Sequence, residues 1–254
     1  MTNIYNSFLV DKAICRGGKF KVEQIENSLE AITEAAKEGR TLSLPLMKIS
    51  DGTLIVFASE TLGRLTGKDG YTKNLSKSEL KDAKYGDSKQ TIITLEEALK
   101  AINSKVPVLF EIISDCTDFV TNGVMERAFM ETMKGFKNQW AIESSNPFVI
   151  MWFKHNAPEV IRGIKSGCFR GENPVYANKY KLMWLKYNDR CEPHFVNYCG
   201  RCLADYCIRR YVVKKRTKSI PLFVWKVGNE KLYYRLVKLA DNIVYNGFDP
   251  SKQK

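Results

Sequence analysis

The sequence predicts an α/β protein, a single (β/α)8 TIM barrel with an antiparallel hairpin extension after strand two. Three observations carry that prediction. Short β-rich runs alternate with longer helical patterns along all 254 residues, as expected of βα units closing a parallel sheet. Eight such runs can be counted, one for each barrel strand. The length also suits a one-domain barrel of about 250 residues, spanning 1–254 with a small polar insertion at about 60–93.

The runs lie near residues 10–15 (VDKAIC), 41–48 (TLSLPLMK), 106–112 (VPVLFEI), 139–143 (QWAIE), 159–164 (EVIRGI), 194–198 (HFVNY), 220–225 (IPLFVW) and 241–245 (DNIVY). A helix candidate follows each except the last. Within 26–38, Leu29, Ile32, Ala35 and Ala36 share one face at helical spacing. Thr94 and Glu97 form a capping box ahead of Leu95, Ala98, Leu99 and Ile102, so a helix begins there. Asn146 and Pro147 supply an N-cap and a first helical residue, and Asn229 caps a helix turning Leu232, Tyr233, Leu236 and Val237 inward. One run breaks the barrel pattern. TLIVFAS at 53–59 follows strand two across Asp51-Gly52, a tight turn that returns the chain antiparallel, because a parallel neighbour needs a crossover of about a dozen residues. The stretch 63–93, rich in Gly, Lys, Asp and Ser, reads as a polar excursion before the next helix.

A chain that is 44% hydrophobic and 27% charged is neither disordered nor fibrous. Forty Lys and Arg against 28 Asp and Glu leave a net charge of +12, which favours anionic partners: phosphate compounds, nucleic acid or an acidic membrane surface. No apolar run approaches the roughly 18 residues of a membrane span, and the opening MTNIYNSFLV has neither a basic n-region nor a cleavage site. A cytoplasmic protein with no transmembrane segment is expected. Seven cysteines, an odd count, argue against a full disulfide framework and make reduced thiols the default.

Barrels of this type place reactive groups at the C-terminal ends of the strands and in the loops that follow. Those positions hold Cys15-Arg16-Gly17, the hairpin after Ser43 and Pro45, Glu111, Glu143 to Asn146, the loop from Cys199, and Trp225. Here the sequence resembles the glycerophosphodiester phosphodiesterase family, whose barrel opens with His-Arg-Gly and continues with Pro-Glu-Asn-Thr. This chain has Cys15-Arg16-Gly17 and Ile25-Glu26-Asn27-Ser28 in those places. The family's Glu-Leu-Asp-Val, Lys-Asp-Gly and Val-Phe-His-Asp-Glu-Thr-Leu correspond to Ser43-Leu44-Pro45-Leu46, Ser50-Asp51-Gly52 and Val56-Phe57-Ala58-Ser59-Glu60-Thr61-Leu62, with no gap between 43 and 62. Phe110-Glu111-Ile112-Ile113 looks like its Ile-Glu-Ile-Lys. Residues 142–147 resemble Ile-Ser-Ser-Phe-Asn-Pro, Phe223-Val224-Trp225 resembles Ala-Trp-Thr-Val, and Ala240-Asp241-Asn242 and Asn246-Gly247-Phe248 close the match.

The resemblance implies two histidines acting as acid and base on a phosphodiester, a divalent Mg or Ca held by three carboxylates, and an Arg and a Lys on the phosphate. Position by position, the histidines are replaced by Cys15 and Ala58, two metal carboxylates by Ser43 and Pro45, and the Lys by Ile113. Arg16 and Glu111 survive, with Glu26 and Asn27 beside them. The chain's own histidines fall elsewhere, His155 late in a helix and His194 at the start of a strand on the barrel's opposite face. The expectation is a degenerate member that has lost metal-dependent hydrolysis, uses no cofactor, and binds a small anionic ligand such as a glycerol phosphodiester through Arg16, Glu26, Asn27, Glu111 and Trp225. The alternatives are an active phosphoric diester hydrolase of glycerophospholipid metabolism with a relocated or thiol-based site, and a basic module for protein or membrane-surface contacts.

Several residues carry two readings. Arg16 is either a structural ion pair with Glu26 or Glu111, or a phosphate fork, since guanidinium offers bidentate donors. Trp225 is core or an aromatic wall for the ligand. Glu111 without partner carboxylates is a structural acid more often than a lone metal ligand. Cys191, Cys199, Cys202 and Cys207 run as C-x7-C-x2-C-x4-C, and Cys15, Cys116, Cys168, Cys199 and Cys202 all follow strand ends. A zinc site or a redox pair at Cys199/Cys202 competes there with small buried thiols, which this irregular spacing favours. Arg209, Arg210, Lys214, Lys215, Arg216 and Lys218 sit on an outer helix and its exit, where a solvated face outweighs nucleic-acid binding for want of a groove-fitting element. The oligomeric state is left open.

Overall fold

The computed structural model describes residues 4, 7–114, 121–169, 179–216 and 220–250. A short helix α1 (Phe8–Asp11) precedes β1 (Ile14–Arg16) and α2 (Leu29–Lys37). The hairpin β2 (Leu42–Lys48) and β3 (Leu54–Val56) leads through α3 (Gly63–Thr66) to α4 (Leu95–Ile102). Then come β4 (Val108–Ile112), α5 (Val124–Met133), β5 (Trp140–Ser144), α6 (Pro147–Asn156) and β6 (Arg162–Ser166). The chain continues through α7 (Lys179–Met183), α8 (Asn188–Cys191), β7 (Phe195–Cys199), α9 (Tyr206–Tyr211), β8 (Leu222–Val227), α10 (Glu230–Leu236) and β9 (Asn242–Tyr245).

Eight parallel strands close into a TIM barrel in the order β1, β2, β4, β5, β6, β7, β8, β9, with β9 returning to β1. β3 stands outside the ring, antiparallel to β2 through Leu46–Val56 and Lys48–Leu54. The capping box at Thr94 and Glu97 and the Asn146 and Asn229 caps form as the sequence predicts. Leu29 and Val237 do not turn inward: each sits at a helix end, 43% and 41% exposed.

Most strand boundaries shift by a residue or two from the sequence reading, and two strands bear on the barrel's interior. Residues 10 and 11 belong to α1 and not to the first strand, because Ser7 caps a helical turn whose Phe8 and Leu9 plug the barrel from below. β6 starts and ends two to three residues later than 159–164, which brings Lys165 into the strand. The polar excursion after β3 also has a core of its own. Leu62, Leu80, Ala83, Tyr85 and Ile92 pack on Met47, Ile49, Ile55 and Phe57 of the hairpin.

Strand periodicity builds the barrel's interior in layers. The floor is apolar: Ile14, Leu109, Ala141, Phe195, Phe223 and Val244, closed below by Ile4, Phe8 and Leu9. Phe195 and Phe223 stack with ring centroids 4.7 Å apart. Gly163 of β6 lies on this level, and a Cβ there would stand 2.1 Å from the Phe195 ring. The ring therefore fills the space that any larger residue would need.

Candidate functional site

Two residues further along each of these strands, the interior turns polar. Arg16 follows Ile14, Glu111 follows Leu109, Glu143 follows Ala141, Lys165 follows Gly163, Asn197 follows Phe195, Trp225 follows Phe223 and Asn246 follows Val244. Above this layer opens a cavity of about 880 Å³, lined by Arg16, Glu111, Asn146, Lys165, Trp225 and Asn246 among others.

Glu26, Arg16, Glu111 and Lys165 form one ion-pair chain, and Glu143 pairs separately with Asn197. Lys165 Nζ lies 2.6 Å from Glu111 Oε1, and Arg16 Nη1 lies 2.8 Å from Glu111 Oε2. Arg16 Nε pairs with Glu26 Oε1 at 3.0 Å, and Asn246 Nδ2 donates to Glu26 Oε2 at 2.9 Å. Asn197 Nδ2 donates to Glu143 Oε2 at 2.7 Å, whereas Glu143 Oε1 has no partner among the described residues. Glu26 reaches Arg16 because the chain crosses the end of β1 at Gly17, where φ is +58° and a Cβ would lie 2.3 Å from Glu26 Cγ and 2.5 Å from Asn27 Oδ1. Glycine meets both demands, lacking a Cβ and accepting the left-handed region.

The environments push the two buried carboxyls apart. Burial raises the pKa of Glu111, but the charges of Lys165 and then Arg16 outweigh it and hold the group down at about 2. Glu143 is pushed up to about 7, chiefly by burial, which Lys165 only partly opposes. Burial also lowers the pKa of Lys165, against the pull of Glu111. Neighbouring Glu111 and Glu26 raise that of Arg16 above its ordinary value despite burial.

Trp225 closes one wall of the cavity. Its Nε1 donates to Ser166 O at 2.8 Å, and the Lys165 ammonium sits 4.1 Å over the ring. Asn146 caps α6 through Oδ1, which accepts from Phe148 N at 2.9 Å, and its buried Nδ2 at the cavity wall has no partner among the described residues.

The other positions singled out in the sequence fall in several places. Ala58 lines the cavity, as does Ile113. Ser43 and Pro45 are buried in β2, the Ser43 hydroxyl without a partner among the described residues. Asn27 is buried behind Gly17. Cys15 does not reach the mouth. Alternation along β1 gives the inward place to Arg16 and packs Cys15 against Phe20, Ile32 and Leu42 in the helical layer. Burial pushes its thiol up to about 12, against a hydrogen bond with Tyr245, so Arg16 does not activate it. His155 lies in the last turn of α6, and His194 Nδ1 accepts from Arg162 N at the strand entrances, both away from the mouth.

The cysteine expectations need correction. Cys168 and Cys202 form a disulfide, so not all thiols are reduced, and Cys202 pairs with Cys168 instead of Cys199. The loops after neighbouring strands β6 and β7 meet there, a proximity that sequence spacing does not encode. Cys191 is buried, its Sγ donating to Pro147 O, and Cys207 is exposed, so the four spaced cysteines do not converge. Cys116 and Lys218 lie outside the described residues. Of the basic run, Arg209 stacks its guanidinium 5.8 Å over Tyr206 on α9.

The residues do not fit the divalent ion that the resemblance implies. Ser43 offers only a hydroxyl, Pro45 has no side-chain oxygen, and both oxygens of Glu111 face cations. Among the described residues, no group of three or more His, Cys, Asp or Glu side chains is placed to hold a metal. No described helix is long and apolar enough to cross a membrane. Lys165 and Asn197 are the residues that sequence reasoning missed, and the inward alternation of strands six and seven was the signal for both.

An eight-stranded parallel barrel with a charged cluster at the C-terminal strand ends places this chain among the TIM-barrel proteins. Residues 16–245 match the Glycerophosphoryl diester phosphodiesterase family, and the chain belongs to that family. No curated protein sequence matches it. It is similar to an Oleispira antarctica phosphodiesterase in complex with the product sn-glycerol-3-phosphate, with a TM-score of 0.71 at 16% identity over 93% of each chain. A glycerophosphodiester phosphodiesterase from Thermotoga maritima gives 0.69 at 19% identity, covering 92% of this chain and 94% of that one. The enzyme from Parabacteroides distasonis gives 0.70 at 18% identity over 92% of each. At these identities the likeness concerns the fold.

Proposed function

We propose that this chain binds a small phosphate-bearing polyol, a glycerol phosphodiester or glycerol phosphate, at the barrel mouth and does not carry out metal-dependent hydrolysis. The observation that supports this reading is Glu111. It is the one carboxylate left at the family's metal positions, and Lys165 and Arg16 hold both its oxygens at 2.6 and 2.8 Å. An ammonium from the chain itself supplies the positive charge there. Loss of a positioned acid or base costs roughly 10²- to 10⁴-fold in rate, and loss of a catalytic metal several kcal/mol of charge stabilisation. These losses act on one unit and do not simply add, yet Ala58 has no titratable atom and the Cys15 thiol is buried and protonated.

Binding asks less of the site. Arg16 uses two of its roughly five N–H donors on carboxylates, which leaves donors for a phosphate oxygen. The Asn146 Nδ2 is a further donor, and the Trp225 face suits the apolar edge of a glycerol. A cytoplasmic setting and a place in glycerophospholipid metabolism belong to the same proposal.

Glycerophosphocholine supplied with Mg²⁺, Ca²⁺ or Zn²⁺ should show no turnover above background; robust metal-dependent turnover overturns the reading. Calorimetric titration with sn-glycerol 3-phosphate should detect binding that weakens at least tenfold in Arg16→Ala, on the order of the loss of a charge-assisted hydrogen bond. Unchanged binding removes Arg16 from the site. A diester hydrolase with a relocated acid–base group has one observation in its favour, Glu143 pushed up to about 7. Metal-independent turnover lost in Glu143→Gln would replace the first reading with that one.

A further inference from the structure

The disulfide Cys168–Cys202 ties the loop after β6 to the loop after β7. Phe169 follows the first cysteine and Arg201 precedes the second, and both line the mouth cavity. The disulfide itself borders a second cavity of about 280 Å³. Phe169, Arg201, Trp225 and Lys226 line both spaces, so the two share a wall. That wall includes the indole on which Lys165 rests. The backbone beside the bond is tightly placed as well: a Cβ on Gly167 would lie 2.8 Å from Cys199 Cβ and 3.8 Å from Cys202 Sγ.

We propose that Cys168–Cys202 is a reversible redox site, reduced by dithiols, which sets the affinity of the mouth cavity for its anionic ligand by holding Phe169 and Arg201 in position. This inference rests on the binding reading above and adds its regulation. Cys168 is half-buried and Cys202 buried, so the attack is assigned to Cys168. A dithiol's thiolate attacks Cys168 Sγ, forming a mixed disulfide and expelling Cys202 as a thiolate that takes up a proton. The second thiol then attacks the reductant's own bound sulfur, releasing Cys168 and leaving the reductant as a cyclic disulfide. Two electrons and two protons pass to the protein.

After reduction, the Cys168 N–H contact to Cys202 Sγ, 3.0 Å in the oxidised form, is the remaining direct tie between the two cysteines. A weak sulfur acceptor does not hold two loops as a covalent bond does. The cavity wall loosens, and the ligand must then order Phe169 and Arg201 as it binds. Linkage makes the effect reciprocal: a ligand that prefers the oxidised form protects the disulfide from reduction by the same factor.

The test titrates the full chain with sn-glycerol 3-phosphate, oxidised and after reduction with dithiothreitol, with the redox state verified by thiol alkylation. The reduced form should bind about tenfold more weakly, within the usual range of coupling between sites. The Cys168→Ser/Cys202→Ser double variant should bind weakly under both conditions. Equal affinity in the two redox states overturns this inference and leaves the binding reading standing, whereas absence of binding in both states overturns the two together. Where the double variant does not fold, the wild-type chain alone decides. Saturating sn-glycerol 3-phosphate should shift the equilibrium of Cys168–Cys202 with dithiothreitol about tenfold toward the disulfide, and an unshifted equilibrium overturns the proposal.

Discussion

The apolar floor of the barrel and the charged layer above it stand one inward residue apart on the same strands, yet they hold together for different reasons. Phe195, Phe223, Val244 and their neighbours contribute through contact area, which is non-directional and tolerates changes that preserve volume. Arg16, Glu111 and Lys165 contribute only as a set, because each buried charge is costly without its partner. The floor can lose a methylene and remain a floor. In the charged layer Glu111 is shared by Lys165 and Arg16, so losing it leaves Lys165 with no ion-pair partner among the described residues.

Lys165→Met tests the difference most severely. It should cost about 3–5 kcal/mol in urea unfolding, as expected when one partner of a buried ion pair is removed. Lys165→Met combined with Glu111→Leu should cost less than the single change, and a larger cost for the pair would show that the layer does not act as a set. In the floor, Gly163→Ala should cost about 1–3 kcal/mol by forcing a methyl into the Phe195 ring. Phe195→Leu in the same chain should recover part of that loss, whereas additive losses would mean the two positions do not compete for space.

A smaller effect reads the charged layer by pH. The Glu143 carboxyl is raised from 4.5 to about 7 in the folded state, so between those values the folded chain holds a proton that the unfolded chain has released. Its contribution is fully present below pH 4.5 and is lost as pH rises through about 7. Glu111 runs the other way: lowered to about 2, it stabilises above pH 4.5 and loses that contribution as pH falls toward 2. The melting temperature of Glu143→Gln relative to wild type should therefore rise from pH 4.5 to about 7 and level off above. A difference that does not vary with pH would place Glu143 in a more hydrated setting than its burial indicates. His194, whose pKa is lowered first by burial and then by Arg162, is common to both chains and cancels in this comparison.

The barrel, its hairpin and most helix starts were legible in the sequence because they depend on local signals: alternation, capping residues and a tight-turn dipeptide. The family match was legible for the same reason, since strand ends carry their motifs in order. Arg16 was read as either an ion pair or a phosphate fork, and the folded chain shows the pair with both Glu26 and Glu111 while the fork remains for experiment. Ending strand six at residue 164 hid Lys165, and one residue of register decides whether a lysine faces the barrel's axis or the solvent.

The sequence by itself determined the order of elements and the resemblance to the family, because alternation, caps and short motifs are local statements about residue identity. Only the tertiary structure decided that Lys165 takes the charge beside Glu111, that Cys15 turns into the helical layer, and that Cys202 finds Cys168 across 34 residues of chain. Each of these depends on which strand ends become neighbours when the barrel closes, and pairwise proximity of that kind arises from closure of the sheet and not from local sequence.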